Sequence, residues 1–214
     1  MNDIRVALGK VGIVPVIKLE NPAMAASLGR ALLEGGLPVA EVTFRTASAA
    51  ESIRILKKEF PELLVGAGTV LTLEQARAAL DAGASFAVTP GFNPRIVDFF
   101  LAQGLPVIPG VNSPSQVEMG LERGLDLLKF FPAEASGGIK MLKSLHGPYS
   151  DVKFVPTGGV DASNLAAYLA LPNVLACGGS WMVKEDLIAS GRFSEIATAC
   201  REAVELARAS VKKG

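Results

Sequence analysis

The sequence has 214 residues, of which 50% are hydrophobic, so the chain is long and apolar enough to bury a large core. Its 21 Lys and Arg residues balance its 21 Asp and Glu residues, which argues against nucleic-acid binding, because that function needs a basic surface. The cysteines Cys177 and Cys200 and the single histidine, His146, lie too far apart in the sequence to predict a metal site or a disulfide framework.

The amino-terminal segment has neither a targeting nor a membrane-spanning pattern. Residues 1–20 combine a charged, helix-like start with one short apolar run over residues 12–17, which Pro15 interrupts. A signal peptide needs a longer apolar region, and a membrane span needs about 18 to 20 apolar residues. We therefore expect a cytoplasmic protein that contacts no membrane.

Short apolar runs with the length of strands alternate along the chain with longer segments rich in Ala, Leu, Glu, Lys and Arg. The eight predicted strands are residues 12–19, 39–45, 63–70, 86–89, 105–111, 125–131, 153–157 and 174–177. The predicted helices between and after them are residues 22–34, 47–60, 73–82, 94–103, 115–123, 138–146, 163–170 and 192–211. Near-continuous apolar strands separated by amphipathic helices predict a parallel sheet covered by helices.

The number of these units indicates the architecture. Eight strand and helix units favour a closed barrel over an open doubly wound sheet. No change of composition marks a linker, so we predict an α/β fold with a single domain over residues 1–214, a (β/α)8 TIM barrel. The helix-like residues 2–10 add an extra N-terminal helix before the first strand.

Capping residues mark the starts of four predicted helices. Asn21, Asn93 and Ser113 each precede a proline that suits the first turn, and Thr72 precedes Leu-Glu-Gln, the spacing of a capping box. We expect each of these side chains to accept a hydrogen bond from a backbone N–H group at the start of its helix.

Lys129 lies within the apolar run Leu-Asp-Leu-Leu-Lys-Phe-Phe-Pro of the sixth predicted strand. Burying an unpaired ammonium ion is costly, whereas a buried lysine that has lost its proton is an amine that can attack a carbonyl and form a Schiff base. The alternative is a lysine at a strand end whose head extends into water. Lys18, in the first strand, is the other candidate, but Glu20 follows closely and can hold its charge. We therefore select Lys129.

Polar residues at the carboxyl ends of strands are the second group of candidates, because barrel enzymes build their active sites there. In the second strand, the two-residue period puts Glu41, Thr43 and Arg45 on one face. Glu41 suits a proton shuttle, and its alternative role is an ion pair with Arg45 or Lys129. Arg45 suits bidentate recognition of a carboxylate or phosphate, with Thr69 as a nearby hydroxyl donor, although a strand-end arginine is often a solvated charge.

Two glycine-rich loops follow the seventh and eighth predicted strands. They contain Thr157-Gly-Gly159 and Gly178-Gly-Ser180. In such barrels these loops often bind phosphate through backbone N–H groups, which glycines leave accessible. One glycine pair alone could be a tight turn, but the two together predict a phosphorylated small-molecule substrate.

Six segments at these strand ends form a combined pattern. They are Glu41-Val-Thr-Phe-Arg45, Gly66-Ala-Gly-Thr69-Val, Val88-Thr-Pro90-Gly, Lys129-Phe-Phe-Pro-Ala-Glu134, Pro156-Thr-Gly-Gly-Val160 and Gly178-Gly-Ser-Trp181. The pattern resembles the 2-keto-3-deoxy-6-phosphogluconate (KDPG) aldolase family, whose bacterial members also act as 4-hydroxy-2-oxoglutarate (KHG) aldolases. The resemblance spans essentially the whole chain, and the Lys129 segment combined with Thr-Gly-Gly is its specific part.

The resemblance implies a class I aldolase on an (α/β)8 barrel that uses no metal or other cofactor and assembles as a homotrimer. Lys129 is the implied Schiff-base residue, and Glu41 is the residue that shuttles protons through water. The implied substrate-binding residues are Arg45, Thr69, Pro90, Phe131, Thr157, Gly158, Gly159, Gly179 and Ser180.

These binding residues have different implied roles. Arg45 and Thr69 hold the carboxylate, Pro90 shapes the pocket, and the loop glycines with Ser180 receive the phosphate. Thr157 tunes selectivity among C4 stereoisomers and between phosphorylated and short substrates. The implied reactions are cleavage of KDPG to pyruvate and D-glyceraldehyde 3-phosphate, and of KHG to pyruvate and glyoxylate.

Two other functions are compatible with a phosphate-binding barrel. One is a sugar-phosphate isomerase or synthase in which Lys129 acts only through its charge, and it predicts no covalent adduct with pyruvate. The other is a non-catalytic barrel that binds a phosphorylated metabolite without turnover. The joint presence of Lys129, Glu41 and Arg45 favours an enzyme over a pure binding protein, which needs no proton shuttle.

Overall fold

Strands and helices alternate along the chain. A computed structural model describes residues 2–211, so residues 1 and 212–214 of the predicted domain lie outside the described residues. The strands are β1 (Ile13–Ile17), β2 (Val39–Thr43), β3 (Leu64–Gly68), β4 (Phe86–Val88), β5 (Val107–Ile108), β6 (Gly110–Val111), β7 (Leu127–Phe130), β8 (Lys153–Pro156) and β9 (Cys177–Gly179). The α-helices are α1 (Asn2–Val11), α2 (Ala25–Glu34), α3 (Ala49–Glu59), α4 (Leu73–Asp81), α5 (Pro94–Ala102), α6 (Pro114–Leu121), α7 (Gly138–His146), α8 (Leu165–Leu169), α9 (Glu185–Ala189) and α10 (Phe193–Val211).

The strand pairs between β1 and β9 are parallel, as the continuous apolar runs predicted. They form one sheet in the order β5-β4-β3-β2-β1-β9 and a second in the order β6-β7-β8. The result is an α/β fold in which helices pack against parallel strands that curl into a half-barrel. All carboxyl ends of the strands therefore point to the same side of the molecule.

Pro109 divides the predicted fifth strand in two. The segment predicted as one strand over residues 105–111 is observed as β5 and β6. Strand β5 pairs with β4, whereas β6 pairs with β7. Proline has no N–H group to donate, and the Pro109 carbonyl accepts a hydrogen bond from the Lys129 N–H at 2.9 Å. The break lies where the chain passes from one sheet to the other.

The last predicted strand is wrong in its position. Residues 174–177 are the prediction, but β9 comprises Cys177–Gly179, and Val174 forms only an isolated bridge with Phe154. The glycines of β9 pair in parallel with β1. Glycine is a weak strand former that marks places where another group comes close to the backbone, so the apolar pattern ends at Cys177, where the observed strand begins.

Helix α9 lies in a segment for which no element is predicted. It begins with Glu185 and Asp186, which are acidic residues in the first turn of a helix. Negative charges there interact favourably with the helix dipole. The two acidic residues are therefore a sequence signal for the start of this helix, which the apolar pattern alone did not reveal.

One contiguous cluster of buried apolar side chains connects the helices to the strands. It includes Leu8 of α1, Val14 of β1, Phe130 of β7 and Ala207 of α10. The first and last helices therefore share a core with the sheet. Among residues 2–211, we find no helix that has both the length and the apolar character to cross a bilayer.

Three of the four predicted helix caps are confirmed. The side chains of Asn21, Thr72 and Asn93 each accept a hydrogen bond from a backbone N–H group at their helix start. Ser113 occupies the expected position before α6, but its side chain makes no capping hydrogen bond. The prediction for Ser113 is therefore wrong, because an extended backbone before a proline does not by itself orient the hydroxyl toward the helix.

Thr72 and Ser113 provide a matched test of this difference. The Thr72 hydroxyl accepts from the Gln75 N–H at 3.1 Å, so Thr72→Ala should lower the free energy of unfolding by about 1 kcal/mol. Ser113→Ala removes no capping bond and should change it by less than about 0.5 kcal/mol. Urea unfolding measures both values, and equal losses would contradict the assignment of the caps.

Candidate active site

Lys129 and Glu41 form a buried ion pair inside the curled sheet. Lys129 lies on β7 and is 4% exposed, and Glu41 lies on β2 and is 3% exposed. The Lys129 Nζ donates a hydrogen bond to Glu41 Oε1 at 3.2 Å and lies 5.3 Å from the centre of the Phe131 ring. The structure decides between the alternatives that the sequence left open. The Lys129 head does not extend into water, and Glu41 forms its ion pair with Lys129 and not with Arg45.

Gly68 leaves the space that the Glu41 side chain occupies. Strands β2 and β3 pair so that Thr43 lies beside Gly68. A Cβ atom added at Gly68 would lie 2.1 Å from Glu41 Oε1 and 2.4 Å from its Cγ, which is closer than atoms can approach. The absence of a side chain on β3 therefore allows the carboxylate to lie against the sheet and reach Lys129.

Lys18, the rejected candidate, is a paired surface charge. Its Nζ lies 2.9 Å from a carboxylate oxygen of Glu20 and 2.9 Å from one of Glu185. The hydrogen bond to Glu20, followed by that to Glu185, raises the pKa of Lys18 above its usual value. Lys18 is therefore held as an ammonium ion, which cannot act as a nucleophile.

A cavity of about 240 Å³ opens beside Lys129 at the carboxyl ends of the strands. The structure brings every predicted substrate-binding residue to its wall. These residues are Arg45, Thr69, Pro90, Phe131, Thr157, Gly158, Gly159, Gly179 and Ser180. Val16, Val160 and Gly178 also line the cavity. Gly178 belongs to the second glycine segment that the sequence predicted for phosphate binding, whereas Val16 and Val160 are apolar residues that carry no chemical signal of their own.

Arg45 is oriented by a chain of hydrogen bonds from the neighbouring strands. The Thr43 hydroxyl donates to the Ile17 carbonyl at 2.8 Å and accepts from Arg45 Nε at 3.2 Å. Thr43 is fully buried, whereas Arg45 is exposed at the rim. The two terminal nitrogens of the guanidinium group thus remain available as donors at the mouth of the cavity.

Thr69 has a backbone conformation that is unusual for its residue type. Its φ of 54° lies in the left-handed region, and Thr69 is the non-glycine residue with a positive φ among residues 2–211. A β-branched residue in this region costs on the order of 1 to 2 kcal/mol, and such strain is concentrated at functional sites. Thr69 follows directly after β3, and this conformation places it in the wall of the cavity.

The Thr157-Gly-Gly159 turn presents free amides and bound carbonyls. The carbonyls of Thr157 and Gly158 accept from the N–H groups of Ala133 and Glu134 at 2.8 and 3.0 Å. Within residues 2–211, the Gly158 and Gly159 N–H groups have no protein acceptor. Both glycines have positive φ values of 98° and 81°. Two unpaired amides in a glycine turn are suited to binding an anion.

Glycines on β9 leave room for two neighbouring side chains, of which Thr157 lines the cavity. A Cβ atom at Gly178 would lie 2.3 Å from Thr157 Oγ1, and one at Gly179 would lie 1.9 Å from the Trp181 ring. Thr157 and Trp181 therefore occupy space that only a glycine strand leaves open. Ser180, at the end of this strand, is exposed.

Among the described residues, neither cysteine lines this cavity. Burial raises the pKa of the Cys177 thiol and raises that of Cys200 to about 12, so neither forms a thiolate near neutral pH. The described part of the chain contains no cluster of three or more His, Cys, Asp or Glu side chains with the geometry of a metal site. Lys129 and Glu41 are thus the buried reactive pair beside the cavity.

Comparison with known proteins adds a family to this geometry. Residues 4–199 match the family model described as KDPG and KHG aldolase. Among curated relatives, the chain is 50% identical over 200 residues to the 2-dehydro-3-deoxy-phosphogluconate aldolase of Treponema pallidum, and the match covers 94% of this chain and 95% of the relative.

Two crystal structures are similar over nearly the whole chain. One is KDPG aldolase from Legionella pneumophila with pyruvate captured at low pH as a covalent carbinolamine intermediate, with a TM-score of 0.89, 41% identity, and coverage of 92% of this chain and 96% of that one. The other is the 2-keto-3-deoxy-6-phosphogluconate aldolase of Zymomonas mobilis with 3-phosphoglycerate, with a TM-score of 0.87, 40% identity and 95% coverage of both chains. The chain therefore belongs to the KDPG and KHG aldolase family.

Proposed function

We propose that this chain is a class I aldolase that cleaves KDPG to pyruvate and D-glyceraldehyde 3-phosphate, and KHG to pyruvate and glyoxylate. The observation that carries the proposal is the buried Lys129–Glu41 pair beside a cavity of about 240 Å³. A buried amine with a proton acceptor at 3.2 Å has what a Schiff-base nucleophile needs. Family membership supports the same reaction class.

Lys129 acts as the nucleophile. Transfer of a proton from Lys129 to Glu41 gives a neutral amine, whose lone pair forms a bond to the C2 ketone carbon of the substrate. The resulting carbinolamine loses its hydroxyl group as water, for which Glu41 returns a proton, and an iminium ion forms.

Glu41 moves protons during bond cleavage. It takes the proton of the C4 hydroxyl group through a water molecule, and the C3–C4 bond breaks as its electron pair moves toward the iminium nitrogen. The aldehyde leaves, and an enamine remains on Lys129. Protonation of the enamine at C3 and hydrolysis of the iminium ion release pyruvate and restore the amine.

The keto-acid end of the substrate is bound at one side of Lys129. Arg45 and Thr69 hold the carboxylate, and the guanidinium orientation set by Thr43 supports this role. Pro90 and the Phe131 ring shape the wall, consistent with their places in the cavity lining.

The phosphate end is bound by the Thr157-Gly-Gly159 turn and by the carboxyl end of β9. The free amides of Gly158 and Gly159, together with Gly179 and Ser180, receive the phosphate oxygens. Thr157 directly precedes these glycines and lines the cavity, and it tunes selectivity at C4 and between phosphorylated and short substrates. A threonine here, with Ser180, favours the gluconate-derived substrate.

We also propose that the strands close into a complete (β/α)8 barrel within one catalytic domain over residues 1–214, with α1 as the extra N-terminal helix. The two sheets meet at Pro109, and parallel bridges from Phe154 to Val174 and from Thr157 to Gly178 support closure between β8 and β9. The assembly is a homotrimer, for which the family resemblance is the support. The free thiols of Cys177 and Cys200 suit a reducing cytoplasm.

The non-covalent alternatives explain the site less well. In an isomerase or a metabolite-binding barrel, Lys129 would attract the ligand through its positive charge. However, Lys129 is only 4% exposed and its charge is already paired with Glu41, so it would attract an anionic ligand only weakly. The same pair is useful to an enzyme that needs both a nucleophile and a proton acceptor.

Replacing Lys129 tests the covalent step. Lys129→Ala should abolish KDPG cleavage and the adduct that borohydride traps with pyruvate, because no other group forms the Schiff base. Lys18→Ala, the matched control, should retain both. Intact mass and peptide mapping locate the adduct. An adduct on Lys18 in the wild-type protein, or no adduct from folded protein, would contradict the proposal.

Glu41 is tested by removing its charge while keeping its shape. Glu41→Gln should slow KDPG turnover by about 100-fold or more, because the proton acceptor is lost, while still allowing imine formation with pyruvate at a lower rate. Steady-state kinetics and borohydride trapping measure the two effects separately. An unchanged turnover rate would remove Glu41 from the mechanism.

Gly68 is tested as the residue that makes room for Glu41. The Cβ atom of Gly68→Ala would overlap Glu41 Oε1, so the carboxylate must move and kcat should fall by about tenfold or more. In the control Gly91→Ala, a Cβ atom meets no atom within 4 Å, and kcat should stay within about twofold. Circular dichroism checks that both variants fold. A Gly68→Ala variant with wild-type turnover would show that the close contact is unimportant.

A further inference from the structure

Glu134 supports the turn that carries the free amides from outside the cavity. Glu134, in the 3-10 helix Glu134–Ser136 after β7, donates its backbone N–H to the Gly158 carbonyl at 3.0 Å. A Cβ atom at Gly159 would lie 2.6 Å from Glu134 Cγ and 2.8 Å from its Cβ, so the glutamate side chain packs directly against Gly159. Glu134 is exposed and does not line the cavity.

The Glu134 side chain is in turn held by Tyr168 of α8. Tyr168 is fully buried, and its hydroxyl donates a hydrogen bond to Glu134 Oε1. Burial, and secondly the Glu134 contact, raise the pKa of Tyr168, so the hydroxyl keeps its proton and remains a donor. An exposed glutamate normally samples several rotamers, but this contact with a fixed phenol selects one.

The same helix holds the turn at a second point. Asn164, which precedes α8, donates from Nδ2 to the Gly159 carbonyl at 2.9 Å and accepts from the Asp161 N–H at 2.9 Å. Helix α8 therefore contacts the turn directly through Asn164 and indirectly through Tyr168 and Glu134. Glycines have little conformational preference of their own, so these contacts decide where the two amides point.

We propose that Tyr168 and Glu134 are positioning residues for the phosphate subsite. The Tyr168 hydroxyl fixes the Glu134 side chain, whose methylene groups hold Gly159 so that the Gly158 and Gly159 amides point together at the phosphate. The inference rests on the proposed function, because it assigns these residues to one end of that substrate. Neither residue touches the substrate, and neither takes part in the chemistry at Lys129.

The first test separates the phosphate end from the keto-acid end. Tyr168→Phe removes only the hydroxyl group and should raise KM for KDPG by about tenfold, the equivalent of one hydrogen bond to a charged group, with kcat within about twofold. The pyruvate concentration that half-saturates borohydride trapping at Lys129 should not change, since pyruvate has no phosphate. A general loosening of the fold would alter both values and would overturn the proposal.

Tyr149→Phe is the matched control, because Tyr149 also donates to a glutamate, Glu118, at 2.9 Å but lies away from the cavity. It should leave the KM for KDPG unchanged. If the wild-type protein cleaves KDPG and Tyr168→Phe has the same KM for KDPG as wild type, the positioning role is overturned and the proposed function stands. A wild-type chain that neither cleaves KDPG nor traps pyruvate overturns the proposed function, and this inference with it.

Variants of exposed Glu134 test the same idea without a change in the core. Glu134→Ala keeps the backbone bond to Gly158 but removes the side-chain support, and it should raise KM for KDPG as much as Tyr168→Phe does. Glu134→Gln keeps the methylene groups and the acceptor, so its KM should stay within about twofold of wild type. Because Tyr168 acts through Glu134, the double variant Tyr168→Phe/Glu134→Ala should be no worse than either single variant. Additive effects, or a wild-type KM in Glu134→Ala, overturn the proposal.

Discussion

The buried ion pair between Lys129 and Glu41 is the interaction on which the rest of the site depends. Removing two charges from water costs on the order of several kcal/mol per ion, and apolar residues of similar size often give an equally stable core. The pair is therefore poorly explained as a stabilising contact and well explained as an amine with a proton acceptor 3.2 Å away. Its members lie 88 residues apart in the sequence, so the curvature of the sheet is what brings them together.

Strand glycines make this arrangement possible. Gly68 leaves room for the Glu41 carboxylate, and Gly178 and Gly179 leave room for Thr157 and Trp181. In each case an added Cβ atom would lie within 2.3 Å of the neighbouring side chain. Glycine weakens a strand, so these residues make β3 and β9 locally less stable, but they leave space for neighbouring side chains inside the sheet. The geometry of the cavity is thus set by missing side chains as much as by those that line it.

The sequence predicted the members of the site better than the details that hold them. The strand period and the common edge of parallel strands were enough to bring Arg45 and Thr69 to the same cavity as Lys129. The positive φ of Thr69 and the contact between Glu134 and Tyr168 had no sequence signal, because both depend on what the folded chain places beside them. The predicted position of the last strand was wrong for the same reason. The glycines of β9 leave room for Thr157 and Trp181, and this need is visible only in the folded chain.

The two ends of the cavity differ in their electrostatics, and this difference bears on how one site can serve two substrates. Lys129 and Glu41 pair as opposite charges at the reacting end, whereas the Gly158 and Gly159 amides at the other end carry no net charge. A phosphate can bind to such amides without a lysine or arginine beside it. When a substrate lacks the phosphate, no buried cation is left without a partner, and the charges around Lys129 stay the same. The proposed cleavage of both KDPG and KHG is therefore compatible with a single arrangement of the reactive pair.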